Sequence, residues 1–120
     1  MSSFNTHARK VRDPHLHLLR RRTALRCCIL RLSWLMQHPS YKTVLNGFND
    51  RYGFNNTPSP SVEQLLETLA AVEQERGIAL AKVSAFAERR RYEKVHGRHT
   101  PSPAEVKAFY QSLSPEHSAA

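Results

Sequence analysis

Residues 18–38, LLRRRTALRCCILRLSWLMQH, form the most apolar stretch of the chain, and how they are covered decides the fold. A membrane span is excluded, because Arg20, Arg21, Arg22, Arg26 and Arg31 interrupt the stretch and no window of about 18 residues is free of charge. On a helical wheel Leu18, Leu25, Ile29, Leu32 and Met36 share one face, while Leu16, Leu19, Cys27, Leu30 and Trp34 fall on nearly the opposite one. A helix apolar on two sides needs two sets of partners. It is therefore expected as the central helix of a bundle or of a homodimer, its arginine heads escaping between the two faces. A helix lying on a membrane or in calmodulin would instead set one apolar face against one basic face.

Working outward, Asp13–Pro14 supplies a cap and a first-turn proline for this helix, and His38–Pro39–Ser40 ends it. Ser40 then caps a shorter helix in which Val44, Leu45 and Phe48 cluster, with Gly53 as its stop. The tetrapeptide Thr-Pro-Ser-Pro occurs at 57–60 and again at 100–103, each time shortly after a glycine, Gly53 or Gly97. Each copy reads as helix stop, turn and helix start. Proline forces the preceding residue out of α geometry, and Ser59 or Ser61, and later Ser102, accept from the first free amides of the next helix. Ser61 with Gln64 fits a capping box. Thr57, Ser59, Thr100 and Ser102 also precede prolines as phosphorylation sites would, but capping already accounts for them.

Between the two signals Val62, Leu65, Leu69, Val72, Leu80, Val83 and Phe86 keep one helical stripe. A single long helix fits, with Gly77 the one place where it could kink or divide. The expected fold is an all-α small bundle of four or five helices, at about 14 to 37, 41 to 52, 60 to 96 and 102 to 113. Residues 1–13 read as a flexible basic arm, 14–113 as a single helical domain, and 114–120 as a disordered tail. Val62, Leu65, Leu69, Leu80, Val83 and Phe86 are expected to be buried beside the first helix.

Lys and Arg number 18 against 10 Asp and Glu, a formal charge of +8 that favours a polyanionic partner over mere solubility. Charge is sorted along the long helix, with Glu63, Glu67, Glu73 and Glu75 early and Arg89, Arg90, Arg91, Lys94 and Arg98 late. The helix dipole accounts for part of this sorting, but not for three consecutive arginines. The candidate nucleic-acid-binding residues are therefore Arg89, Arg90, Arg91, Lys94 and Arg98, with Lys107 just beyond the turn and Arg9, Lys10 and Arg12 on the arm. Tyr92 is read as a packing residue. The helix, glycine turn and capped helix share only an outline with a helix-turn-helix.

Catalysis is not expected. The glutamates lie along a solvated face without a partnered histidine or nucleophile, and the glycines are too scattered for a phosphate loop. His15, His17, His96 and His99, with Cys27 and Cys28, lack the spaced pairs of a zinc site, so no metal or other cofactor is expected. Adjacent cysteines on a helix point about 100° apart and do not bridge, which suits a reducing compartment. The polar, basic start of the sequence has no apolar signal core, and a cytoplasmic location is expected. Two functions remain. One is a small DNA-binding regulator or accessory factor, with DNA favoured over RNA. The other is a helical interaction module whose Leu16–Met36 helix docks an acidic or apolar partner.

Overall fold

The computed structural model describes residues 3–97 and 101–113, and among them are five helices and no strand. Helix α1 runs Phe4–Arg12, α2 Leu18–Leu35, α3 Tyr41–Tyr52, α4 Val62–Val95 and α5 Pro103–Ser112. The all-α bundle expected from the hydrophobic periods is present, and its helix limits fall close to those the capping residues mark.

The first thirteen residues depart from expectation. Instead of a loose arm they contain α1, whose Phe4, Ala8 and Val11 recur at helical spacing and are buried in the core. Ser3 starts it, its Oγ accepting from the Thr6 amide at 3.2 Å. Asp13 does not cap α2 either. It closes α1, and its Oδ1 accepts from the His15 amide at 2.9 Å, so Asp13–Pro14 forms the turn between the two helices. The cap of α2 is His17, whose Nδ1 accepts from the Leu19 amide at 3.2 Å.

Helix α2 is central, with α1, α3 and α4 all packed on it. Leu25, Cys28, Ile29 and Leu32 are fully buried, and Met36 nearly so. Its arginines do not simply escape to solvent. Arg21 is buried and donates through Nε to the Val11 carbonyl at 2.7 Å, satisfying an orphan carbonyl in the last turn of α1. Arg22 donates through Nη1 to the Thr57 carbonyl at 2.6 Å, and Arg26 through Nε to Asn55 Oδ1 at 2.9 Å. Two arginines of α2 thus pin the loop that joins α3 to α4. Phe54 and Pro60 in that loop are themselves buried.

The other caps follow the sequence signals. Ser40 Oγ accepts from the Thr43 amide at 3.2 Å, and Gly53 ends α3 at a φ of +69°, which only glycine adopts without strain. Ser61 and Gln64 form the reciprocal capping box, both bonds at 3.0 Å. Ser102 Oγ accepts from the Glu105 amide at 3.2 Å, with Pro103 in the first turn of α5.

Helix α4 continues unbroken through Gly77. Its 34 residues give it a length of about 51 Å, nearly the 55 Å long axis of the molecule. Only its first half is bedded in the core. Leu65, Leu69, Val72 and Ala79 are buried, and beyond Ala79 no residue of α4 is. Val62 and Leu80, expected inside, are exposed, while Val83 and Phe86 are half-buried. The stripe keeps its period, but the neighbouring helices end before it does. Phe86 instead stacks on Phe109 of α5, with ring centroids 4.1 Å apart and planes within 7°, and Leu113 just after α5 is buried.

Phe4→Ala should destabilise the protein by about 3 kcal/mol in denaturant unfolding, because it empties a core site; a loss below about 0.5 kcal/mol, typical of surface positions, would restore the loose arm. Gly77 is exposed within a continuous helix, and a Cβ built there meets nothing within 4 Å. Gly77→Ala should therefore stabilise the fold by about 0.5–1 kcal/mol, read by the same titration.

Candidate nucleic-acid interface

Arg89, Arg90, Arg91 and Lys94 all lie on the half of α4 that has left the core, and all four are exposed. Successive residues turn by about 100°, so the three arginines alone cover about 200° of the helix circumference. Arg90 and Lys94 continue the line of the buried stripe, with Arg89 to one side and Arg91 to the other. Arg89 donates through Nε to Glu93 Oε1 at 3.2 Å, an ion pair one turn apart whose arginine side chain is 76% exposed. Arg90 lies over the Phe86 ring, 6.0 Å from its centroid.

Helix α5 brings Lys107 to the same place. Arg90, Lys107 and Tyr110 line a groove of about 570 Å³ with Gln37 and Pro39 from the α2–α3 turn and Pro101 before α5. A shallower recess of about 240 Å³ next to it is formed by Ala87, Arg90, Arg91 and Lys94. Arg90 therefore belongs to both. Among the described residues from 80 onward, Lys82, Arg89, Arg90, Arg91, Lys94 and Lys107 face three carboxylates, Glu88, Glu93 and Glu105. The end of the molecule is cationic without being uniformly so. Arg98 lies outside the described residues.

The cations of α1 stand apart from this cluster. Arg9, Lys10 and Arg12 are exposed, but α1 is docked on α2 and α4, and Arg12 pairs with Glu73. Glu73 precedes Arg89 by sixteen positions on a continuous helix, about 24 Å along its axis. The two basic groups are thus separated by a rigid rod, whereas a loose arm would have let them converge.

Tyr92, read from the sequence as a packing residue, is 51% exposed and stacks on His96, with ring centroids 3.9 Å apart. His96 Nδ1 is 2.8 Å from the Tyr92 carbonyl oxygen. The exposed pair sits on the outward face of α4, away from α5. The sequence signal that separates it from a packing residue is its position half a turn away from the Val83–Phe86 line.

No group of three or more His, Cys, Asp or Glu is placed to hold a metal among the described residues. No helix among them is long and apolar enough to cross a membrane. Cys28 is fully buried, and its thiol is pushed up to about 12, chiefly by burial and further by Cys27. His7 titrates below its ordinary value because burial and the nearby charges of Lys10 and Arg31 oppose the imidazolium. No known family, curated protein or solved structure matches the chain.

Two measurements follow from these environments. Cys28 should resist iodoacetamide at pH 8 in the folded protein and react on unfolding, as mass spectrometry of the labelled peptides would show, because the thiolate is the nucleophile. For His7 the lowered folded value means that the unfolded chain binds the proton more readily. Its contribution to stability is present above about 6.5 and is lost as pH falls through that value toward the folded one. His7→Gln should flatten the fall in stability between pH 7 and pH 5; an unchanged slope would remove His7 as its cause.

Proposed function

We propose that this protein is a nucleic-acid-binding accessory or regulatory factor that contacts the phosphate backbone through Arg89, Arg90, Arg91 and Lys94 of α4 and Lys107 of α5. The observation that carries the reading is the exposed cationic rod. Half of a 34-residue helix stands beyond the core, with arginines spread around it and Lys107 facing Arg90 across a groove. Cations that only kept the chain soluble would have no reason to gather on the one helix end that no other helix fully covers. The Tyr92–His96 pair adds flat aromatic surface between them, suited to lie against sugar or base.

Duplex DNA is the favoured ligand. An isolated helical rod fits the major groove of B-form DNA, about 12 Å wide, whereas the deep, narrow major groove of A-form RNA does not admit it. Arg9, Lys10 and Arg12 belong to a second basic surface, reached only by a duplex that runs along α4.

The test is affinity for a short duplex over a salt series. Each lost phosphate contact should reduce the slope of log K against log salt by about 0.9, so Arg89→Ala/Arg90→Ala/Arg91→Ala should reduce it by about 2.7. The helix should survive, since alanine favours it and the only printed partner lost is the solvated Glu93 pair. Unchanged affinity in the folded triple variant would show that the cluster is only a solvated helix end.

A further inference from the structure

The face of α2 turned away from the core has no partner. Leu19, Thr23, Cys27, Leu30 and Trp34 recur at steps of four, four, three and four residues, and none of them is buried. Leu19 is 41% exposed and Trp34 57%. That spacing is the seam by which one helix packs lengthwise on another. At the α1 end the seam opens into a groove of about 510 Å³, with Leu16, Leu19, Thr23 and Cys27 along it and Lys10 and Arg20 at its rim. At the other end the Arg31 guanidinium lies 5.0 Å from the centroid of the Trp34 ring.

We infer that this seam is a docking surface for an acidic amphipathic helix supplied by a partner protein, one with apolar residues at every third or fourth position flanked by glutamate or aspartate. The spacing calls for a helix, and charge complementarity calls for acid. The described groove lining contains Lys10, Arg20 and His7 but no carboxylate. A second copy of the chain would bring the same cations to the seam with nothing among the lining residues to neutralise them, and like charges across an interface oppose association. A nucleic acid would satisfy the cations but leave the leucines and Trp34 without an apolar partner.

Trp34 is the chain's one tryptophan, so its emission reports directly on the seam. The probe is a synthetic amphipathic helix of about 20 residues, enough to span α2, with leucines at the seam spacing and glutamates beside them. A twin peptide carries lysine for glutamate. Both are titrated against the Arg89→Ala/Arg90→Ala/Arg91→Ala variant, which keeps the acidic peptide from reporting on the cationic end of α4 and separates this test from that of nucleic-acid binding. The expected result is a saturable blue shift with the glutamate peptide and none with the lysine twin. Lys10→Glu/Arg20→Glu and, separately, Leu19→Glu should each weaken binding more than tenfold with the far-ultraviolet circular dichroism unchanged. Both variants alter exposed side chains, so the fold should hold; if either one unfolds, the other decides. Equal binding of the two peptides, or of neither, overturns the proposal. So does a Trp34 shift produced by duplex DNA, or a protein dimer in sedimentation that buries Trp34 without peptide.

Discussion

Arg21 is buried in an apolar helix, and the structure around it is arranged to make that tolerable. A charged group inside a core costs several kcal/mol unless its donors are met. Here the C-terminal turn of α1 provides the carbonyl of Val11. The bond works in both directions, since α1 would otherwise leave that carbonyl without a helical partner. Arg22 and Arg26, one and five positions on, make the equivalent contacts to the loop after α3. Three arginines on one helix thereby fix the positions of both chain segments that flank it. The apolar side chains between them, Leu25, Cys28, Ile29 and Leu32, then have defined surfaces to pack against.

Part of the basic balance of this protein is therefore structural. Arg21, Arg22 and Arg26 serve the fold, Arg12 answers Glu73, and Arg51 donates to Glu75 Oε1 at 3.3 Å. Net charge counts these residues equally with the exposed ones of α4. The distinction becomes visible only when burial and partners are assigned, and it concentrates the charge that can serve a ligand at two ends of the molecule.

Local signals were legible in the sequence and distant ones were not. Ser40, Gly53, the Ser61–Gln64 box and Ser102 act within three or four residues, and each marks its helix end as its side chain or backbone chemistry requires. Asp13–Pro14 misleads because the chemistry that caps a helix also makes a turn. Helix α1 was missed because its stripe is three residues long, Phe4, Ala8 and Val11, and is surrounded by cations. The periodicity of α4 correctly gives the inward face but carries no information on where α1, α2 and α3 stop, so Leu80 was misplaced. The cations of the candidate interface lie where the sequence puts them on α4. The approach of Lys107 to Arg90, and the separation of α1 from both, depend on chain folding over long distances.

The Phe86–Phe109 stack carries a consequence for how the molecule opens. Helix α5 rests on that ring pair, on Leu113 and on half-buried neighbours such as Tyr110, and it buries no residue of its own. A segment held by so little buried surface opens at a small fraction of the global unfolding free energy. Its amides, and those of α4 beyond Ala79, form a separate cooperative unit that exchanges hydrogen for deuterium while α2 stays protected. The cationic end is thus the part of the protein able to reshape itself around another molecule, and the core need not participate.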